Sequence, residues 1–223
     1  MKISIIVPVL NEAAGVPKLM ETLVPLSRQG TEVLVVDGGS SDGTPAMAAC
    51  FGVRVIHADQ GRARQMNAGA SEASGEVLLF LHADCQLPEG ALQMICTALR
   101  KKPCWGRFDV RISGRPFMLR VVSWLMNWRS RLTGIATGDQ AMFVLRNAFE
   151  AVGGFPDQPL MEDIALSKRL KGISPPACIA RKVTVSGRRW ESRGVWRTII
   201  LMWRLRWAYW RGASVTRLAE AYR

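Results

Sequence analysis

The N-terminal half of the chain alternates short apolar runs with segments of helical spacing. Each run is too short for an ordinary helix and is rich in residues that pack on both faces of a sheet. The four predicted strands are Lys2–Val7, which we expect Pro8 to end, Glu32–Val36, Val53–Ile56 and Val77–Leu81. The predicted helices are Glu12–Leu26, a segment with Thr44 as N-cap, Arg62–Ser74, and one that opens at Pro88. This alternation predicts an α/β fold with a mostly parallel sheet flanked by helices.

The pattern changes after Leu99. Two further strands are predicted there, a half-exposed one at Gly106–Ser113 and another at Ala141–Leu145. The predicted helical segments are Pro116–Thr133, Met161–Leu170 and Val195–Arg223, the last with a break near Gly212. No internal repeat or low-complexity linker separates these elements. We therefore interpret residues 1–190 as one domain, followed by an amphipathic helical segment at 191–223.

The segment Val195–Arg211 has a face rich in tryptophan. The residues at helical spacing on this face are Trp196, Ile199, Ile200, Trp203, Trp207 and Trp210. The arginines that flank it are Arg197, Arg204 and Arg211 on one side and Arg206 on the other. This pattern is typical of a helix that lies in a membrane interface, so an anionic membrane surface is a predicted partner. The alternative is that the tryptophans pack on the rest of the domain or form a homodimer seam.

The formal net charge of +12 is high for a chain with 48% hydrophobic residues, and it suggests an anionic partner such as nucleotide phosphate, an acidic membrane or nucleic acid. A solvated basic surface is the alternative. Five cysteines without CxxC pairing argue against a disulfide scaffold or a zinc ribbon. No signal peptide is apparent, and no apolar run reaches the roughly 18 residues of a spanning helix. We expect a cytoplasmic protein, with peripheral contact to the inner membrane face as an option.

Acidic residues follow three of the predicted strands. Glu12 follows the first, Asp37 the second, and Asp84 the fourth, two residues after His82. Because the carboxyl ends of parallel strands lie at one edge of a sheet, these carboxylates should converge. The alternative for each single acid is that it caps the next helix. As a set they argue against nucleic acid, since a groove for phosphate would not collect acids.

The turn that begins at Asp37, read DGGSSDGT, is rich in glycine but differs from two common phosphate loops. Ser40 stands where GxGxxG needs its second glycine, and Thr44 with Pro45 replaces the Lys-Ser/Thr of a P-loop. A dehydrogenase or a P-loop NTPase is therefore disfavoured. Asp37 can instead accept hydrogen bonds from a base or ribose, with the glycines letting the ligand approach the backbone.

Several motifs follow one another in a fixed order. They are P-V-L-N-E at 8–12, V-D-G-G-S-S-D-G-T at 36–44, G-x-x-x-x-x-N-x-G at 61–69, L-H-A-D at 81–84, V-G-G-F-P at 152–156, E-D at 162–163 and R-R-W at 188–190. Together they resemble family 2 glycosyltransferases with the GT-A, Rossmann-like fold. The wording L-H-A-D, G-D-Q-A-M-F, P-L-M-E-D and R-R-W-E is further similar to the subgroup labelled radical-SAM/selenodomain-associated transferase 2.

The resemblance implies roles for individual residues. Asp163, beside Glu162, would be the general base, although without the motif order this pair would be interpreted as an acidic first helical turn. Asp84, with His82 as a second candidate ligand, would hold Mg²⁺ or Mn²⁺ at a diphosphate. Asp139 could line the acceptor pocket. The implied nucleotide-sugar-binding residues are Pro8, Asn11, Glu12, Asp37, Gly39, Arg62, Asn67, Asp84, Arg188, Arg189 and Trp190, with Arg64 as a further positive charge.

Two departures from the family's motifs change the expected metal ligands and the expected number of sugars transferred. His82-Ala83-Asp84 replaces D-x-D, so one carboxylate ligand is missing, and His82 is either a ligand or a packed strand-end histidine. Ser186 replaces the glutamine of Q-x-x-R-W, which favours transfer of a single sugar. We therefore predict a metal-assisted, inverting transfer from a UDP- or GDP-linked sugar to an acceptor hydroxyl, which could be lipid-linked. The alternative is a degenerate, non-catalytic module that binds nucleotide or nucleic acid.

Overall fold

The computed structural model describes residues 1–100 and 103–222. The strands in these ranges are β1 (Ile3–Val9), β2 (Glu32–Asp37), β3 (Arg54–His57), β4 (Val77–Phe80), β5 (Cys85–Gln86), β6 (Trp105–Ser113), β7 (Phe143–Leu145) and β8 (Ala177–Ser186). They form one eight-stranded sheet in the order β3-β2-β1-β4-β7-β6-β8-β5. Helices pack on both faces of this sheet, which confirms the predicted α/β fold.

Helices alternate with the strands in the first half and dominate the end of the chain. They are α1 (Val16–Arg28), α2 (Thr44–Cys50), α3 (Arg62–Glu72), α4 (Ala91–Leu99), α5 (Met118–Thr133), α6 (Arg146–Ala151), α7 (Glu162–Lys171), α8 (Arg188–Arg193), α9 (Val195–Trp210) and α10 (Val215–Tyr222), with a 3₁₀ turn at Gly138–Gln140. The expected break near Gly212 is confirmed, since this glycine adopts a φ of +84° between α9 and α10.

Two helices begin three or more residues later than predicted. The helix α1 begins at Val16 and not at Glu12, because the residues between them form a turn in which Gly15 N–H and Val16 N–H both donate to the Glu12 carbonyl. The helix α4 begins at Ala91 and not at Pro88, since Pro88 closes a further turn by accepting the Ala91 N–H at 3.2 Å.

The order β3-β2-β1-β4 is parallel throughout, which confirms the four predicted strands. The expected end of the first strand at Pro8 is wrong, because β1 continues to Val9. The last ladder hydrogen bond between β1 and β4 joins Leu81 N–H to the Ile6 carbonyl at 3.0 Å. Pro8 is the next residue of β1 that faces β4, and β4 ends at Phe80, so a residue without an N–H is tolerated there.

The other half of the sheet mixes strand directions. The strand β7 is antiparallel to β4 and β6, β6 is parallel to β8, and β5 is antiparallel to β8. Neither β5 nor β8 was predicted, because β5 has two residues and β8 carries the exposed Arg181 and Lys182 in its middle. The sheet is therefore parallel mainly in the half that the apolar runs predicted.

The strand β6 was expected to be half-exposed, but its first six residues are buried. Its charged side chains are paired inside the protein, because Arg107 donates to Asp109. From α5, Asn127 exchanges hydrogen bonds of 2.8 and 2.9 Å with the Val110 backbone. Arg107 and Asp109 therefore face α5 and not solvent, whereas Arg111 and Ser113, later in the strand, are exposed.

The sheet buries an apolar layer on each face. Ile3, Ile5 and Val7 of β1 pack with α1 and α4 on one side, and Ile6 packs with α3, α6 and α7 on the other. Gly69 allows α3 to approach, because a Cβ there would lie 2.5 Å from the Ile6 side chain. Burial on both faces explains why β1, β2 and β4 are nearly continuous apolar runs, while the edge strand β3 is only partly buried.

The C-terminal segment packs through one face of α9. Leu205 of α9 and Leu218 of α10 form a buried cluster with Leu160, Met161 and Ile164. The opposite face leaves Trp196, Ile200, Trp203, Trp207 and Trp210 between 57% and 74% exposed. The alternative that these tryptophans pack on the domain is therefore wrong. No helix within residues 1–100 and 103–222 is long and apolar enough to cross a membrane.

Candidate functional site

The loops that follow β1 and β2 lie side by side, because Val9 is in register with Asp37. We call residues 10–15 and 37–44 the loop pair. Asn11 adopts a φ of +53° and donates its N–H to Ser40 Oγ at 2.9 Å, while its Oδ1 accepts the Ser41 N–H at 2.9 Å. These side-chain to backbone bonds join the two loops into one surface at the edge of the sheet.

Thr44 and Asp42 also join the two loops. The prediction that Thr44 is the N-cap of α2 is wrong. The Thr44 hydroxyl accepts the Glu12 N–H at 2.9 Å, and Gly43 precedes α2 with a φ of +80°. Asp42 accepts N–H groups from Ala13 and Thr44 at 2.9 and 3.1 Å. Hydrogen bonds, the largest from the Thr44 hydroxyl, hold the pKa of Asp42 below its ordinary value.

Asp37 lies at the bottom of the loop pair and is 2% exposed. Its Oδ2 accepts the N–H groups of Gly39 and Ser40, both at 3.0 Å. Burial acts to raise the pKa of Asp37, but the hydrogen bonds from Ser40 and Gly39 bring it below its ordinary value. Its buried Oδ1 has no hydrogen-bond partner within the described residues. An ionised, buried oxygen in this condition can accept a hydrogen bond from a ligand.

The third predicted acid, Asp84, lies in the turn that follows β4. In this turn the Cys85 N–H donates to the His82 carbonyl at 3.0 Å. Ligand atoms of these three residues lie within 4.8 Å of one another. Burial, helped by Asp84, raises the pKa of the Cys85 thiol well above its ordinary value, which makes it a poor ligand. The Asp84 carboxylate is the hard oxygen ligand that Mg²⁺ and Mn²⁺ prefer, and histidine is a common nitrogen ligand. The donor set fits a divalent cation.

His82 also connects this turn to the 3₁₀ turn. Its Nδ1 lies 3.5 Å from Asp139 Oδ1, and its side chain is 13% exposed. The imidazole lies against Gly138, where a Cβ would be 2.2 Å from Cε1. His82 is therefore packed against neighbouring residues, which agrees with one of the two interpretations of this histidine. It also lies beside Asp84. Its role as a metal ligand stays a prediction.

Asp139, Glu162 and Asp163 form what we call the carboxylate cluster. Asp163 accepts the Gly138 N–H at 2.8 Å through Oδ2 and the Ile164 N–H at 2.7 Å through Oδ1. These bonds hold the 3₁₀ turn that carries Asp139 against the first turn of α7. The structure therefore brings together the predicted acceptor residue and the predicted base.

The acids of the cluster have opposite pKa shifts. Burial raises the pKa of both Glu162 and Asp163; the charge of Asp163 raises that of Glu162 further, and the backbone hydrogen bonds to Asp163 only partly oppose burial. Burial also acts to raise the pKa of Asp139, but His82 and nearby arginines bring it below its ordinary value. Such a separation is typical of sites where one acid stays ionised and another exchanges a proton.

Arg62, at the start of α3, faces the carboxylate cluster. Surrounding protein acts to lower its pKa, but the acids, Glu162 first, raise it above its ordinary value. The residue nevertheless remains accessible to solvent, so its guanidinium is available to a ligand. Arg64 differs, because it donates two hydrogen bonds of 2.9 and 3.0 Å to Asp157 outside the cluster. The positive charge that was expected from Arg64 is therefore paired elsewhere.

The three residues of the R-R-W motif lie in three environments. Arg188 Nη2 lies 3.6 Å from Glu12 Oε2, at the loop pair. Arg189 stacks on the Tyr222 ring at 3.8 Å and donates to the hydroxyl and carbonyl of that residue. Trp190 packs on an apolar cluster of β6 and α5, which differs from its predicted place over a diphosphate. Arg188 and Arg189 thus connect the loop pair with the carboxylate cluster, since Arg189 also acts on the pKa of Asp139.

The remaining predicted residues have structural settings of different kinds. Asn67 donates to the Phe155 carbonyl at 2.8 Å and accepts its N–H at 3.0 Å, so both amide atoms hold the V-G-G-F-P turn. Its contact with a nucleotide sugar stays a prediction, as does that of the buried Pro8. Gly39 has a φ of +90° and nothing within 4 Å of an added Cβ, so its backbone is open to a ligand.

Three residues support the site although the sequence did not predict them. Gln65 Nε2 donates to the carbonyls of Val9 and Val36, both at 2.8 Å, beneath the loop pair. Gly138 gives room to His82, and Tyr222 holds Arg189. Gln65 carries a usable signal, because a polar residue on the sheet-facing side of a helix needs buried partners. The sequence contains no such signal for Tyr222, since nothing near it in the chain links it to Arg189.

The fold and the site define an α/β protein whose candidate ligand-binding residues lie at the carboxyl ends of parallel strands. The chain matches Glycosyl transferase family 2 over residues 4–152 of 223, and it belongs to that family. The matched range contains the loop pair, His82, Asp84 and Asp139; Glu162, Asp163 and the R-R-W motif lie beyond it. The subgroup suggested by the wording of the later motifs stays a prediction.

Known proteins resemble the chain over part of their length. Glycosyltransferase AglE of Haloferax volcanii is 35% identical over 92 residues, which are 37% of this chain and 30% of that protein, so the match spans about a third of the relative. A crystal structure of S. aureus TarS in complex with UDP-GlcNAc has a TM-score of 0.67 and 17% identity, covering 83% of this chain and 58% of that one. Mannosyltransferase PcManGT of Pyrobaculum calidifontis, in complex with GDP-Man and Mn²⁺, has a TM-score of 0.59 and 24% identity, covering 82% and 56%. These structures show the shared fold.

Proposed function

We propose that this protein transfers one sugar from a nucleotide-diphosphate sugar to an acceptor hydroxyl. The observation that carries the proposal is Asp37, which is ionised and buried and has one oxygen without a donor beneath an open glycine turn. An N–H group of a uracil or guanine ring can supply that donor. The comparisons support the same donor class, since TarS is in complex with UDP-GlcNAc and PcManGT with GDP-Man.

Asp163 is the proposed general base. Its raised pKa favours proton uptake near the pH of the reaction, and its two backbone hydrogen bonds fix the orientation of the carboxylate. Each oxygen keeps a further lone pair for the acceptor hydroxyl. The acceptor oxygen would bond to the anomeric carbon as the bond to the diphosphate breaks, and the proton would pass to Asp163. This single displacement inverts the anomeric configuration.

The leaving diphosphate needs positive charge. Arg188 lies at the loop pair, and Arg189 and Arg62 lie near the carboxylate cluster, so arginines border the region between the two. Asp84 and His82 would hold Mg²⁺ or Mn²⁺, which when bound neutralises diphosphate charge. Glu12 would contact the ribose neighbourhood, and Asp139, ionised and partly exposed, would orient the acceptor. Ser186, in place of glutamine, favours a single transfer.

Calorimetric titration with UDP and with GDP, each with and without Mn²⁺, tests donor binding. We expect one nucleotide to bind, more tightly with Mn²⁺. Asp37→Asn should weaken this binding by about tenfold or more, because it removes a charged acceptor. Asp59→Asn, in the exposed turn before α3, is the matched control. Failure of both nucleotides to bind would contradict the proposal, and binding without release of nucleotide from any nucleotide sugar would favour the non-catalytic alternative.

A further inference from the structure

Two neighbouring helices expose apolar side chains beside one another. The residues of α9 on this surface are Trp196, Ile200, Trp203, Trp207 and Trp210, and those in and just before α5 are Phe117, Trp124, Leu125, Trp128 and Leu132. The helices share an apolar cluster that contains Val122 and Met126 of α5 and Val195 and Ile199 of α9. On each helix the exposed apolar residues directly adjoin these contact residues. The two exposed apolar faces therefore lie on either side of the line along which the helices meet, which we call the seam. We call the two faces together the α5–α9 surface, and its apolar extent indicates a partner.

The charge of the α5–α9 surface has a single sign. Neither helix contains an acidic residue. The arginines in or directly after the two helices are Arg120, Arg129, Arg131, Arg197, Arg204, Arg206 and Arg211. Within residues 1–100 and 103–222, Arg131 alone among them pairs with a carboxylate, that of Asp109 at 2.8 Å. The surface therefore combines exposed tryptophans with positive charge that no acid neutralises.

Two of these arginines lie at the seam. Arg129 is about one turn after Met126 on α5, and Arg206 is about two turns after Ile199 on α9, so helical periodicity places both toward the other helix. Both terminal nitrogens of Arg129 are buried and have no hydrogen-bond partner in the described part of the chain. Burial lowers the pKa of Arg206, and no acid opposes this effect. A partly buried cation in this condition, such as Arg206, is stabilised by an anion from outside the protein.

We propose that the α5–α9 surface docks on an anionic phospholipid bilayer, with its tryptophans in the interface and a lipid phosphate at Arg206, whose side chain keeps access to solvent. Helices with tryptophan on one face and arginine beside it bind interfaces through apolar burial and attraction to anionic lipid. A second copy of the chain is a poorer partner, since a two-fold contact would oppose the same arginines with no acid on either helix. The proposal does not depend on the transferase reaction.

Docking in this orientation also places the candidate site near the bilayer. The face of α9 opposite the tryptophans packs on Leu160, Met161 and Ile164. These residues directly flank Glu162 and Asp163 in sequence. The helix α9 would therefore contact the bilayer through its tryptophan face, while its opposite face packs on the segment that carries Glu162 and Asp163.

Flotation of the full chain with phosphatidylcholine vesicles, with and without phosphatidylglycerol, tests the proposal. We expect the protein to float with the anionic vesicles and to be released by high salt. Trp203→Ser with Trp207→Ser should lower the bound fraction about tenfold, because both side chains are exposed and would enter the interface. Phe51→Ser, an exposed aromatic residue at the end of α2, should leave binding unchanged. Failure of the unmodified protein to float with anionic vesicles would overturn the proposal.

A second pair of variants tests the lipid phosphate. Arg206→Gln should reduce flotation with anionic vesicles more than Arg181→Gln, which removes the same charge from an exposed strand position. Equal losses in the two variants would show attraction by net charge alone and would refute the phosphate contact. Sedimentation that reveals a dimer, dissociated by Trp203→Ser, would assign the surface to a second copy and overturn bilayer docking.

Discussion

The loop pair and the carboxylate cluster place acids at the same edge of the sheet under opposite electrostatic conditions. In the loop pair, Asp37 and Asp42 accept backbone N–H groups and have lowered pKa values, despite the burial of Asp37. In the cluster, burial raises the pKa of Glu162 and Asp163. The loop pair therefore keeps ionised acceptors ready for a ligand, whereas the cluster holds two acids, Glu162 and Asp163, that take up a proton at higher pH beside Asp139, whose pKa is lowered.

The two regions also differ in how the chain assembles them. The loop pair consists of two loops that follow adjacent parallel strands, and its own polar side chains join them. The cluster instead needs three segments to meet, with His82 after β4, Asp139 in the 3₁₀ turn and Asp163 at α7. The loop pair therefore depends on two adjacent strand ends, and the cluster depends on the packing of three separate segments.

The largest expected effect separates the two regions by function. Asp163→Asn should lower turnover about 10³-fold, because asparagine cannot accept the acceptor proton, while calorimetry should find nucleotide binding unchanged. Release of UDP or GDP from the nucleotide sugar measures turnover. Asp157→Asn removes an acid that pairs with Arg64 outside the cluster, and it should leave turnover unchanged. Retained turnover in Asp163→Asn would remove the proposed base.

A smaller expected effect concerns the dependence of the melting temperature on pH. A carboxyl group whose pKa is raised by folding destabilises the folded protein once pH rises above its unfolded pKa. Glu162→Gln should therefore raise the melting temperature at pH 7 by about 2 °C, and the difference should vanish near pH 4, where both states are protonated. Thermal unfolding followed by circular dichroism at both pH values measures this.

The loop pair supplies the matched comparison for that measurement. Because folding lowers the pKa of Asp42, its ionised form stabilises the protein above the unfolded pKa, and this contribution is lost as pH falls through the folded pKa. Asp42→Asn should therefore lower the melting temperature at pH 7. If both substitutions shift the melting temperature in the same direction, the electrostatic contrast between the two regions is wrong.

The same contrast explains what the sequence could predict. The strands β1, β2 and β4 are evident because burial on both faces makes them nearly continuous apolar runs, and the loop pair follows directly from the ends of β1 and β2. The strand β8 is not evident, since its exposed charged residues hide its pairing with β6. Motif order locates Asn67 and Trp190 but does not reveal that Asn67 binds Phe155 or that Trp190 packs under α5. Those contacts depend on tertiary structure.

The smallest expected effect concerns Tyr222, which positions Arg189 from the other end of the chain. Tyr222→Ala should raise KM for the nucleotide sugar about threefold with little change in kcat, because the stacked ring orients the guanidinium but touches no reacting atom. Tyr209→Ala is the control, since Tyr209 lies under Lys168 in a similar contact. Steady-state kinetics measures both variants. If KM falls in Tyr222→Ala, then Tyr222 competes with the diphosphate for Arg189, and the C-terminal helix restricts the site that it is expected to support.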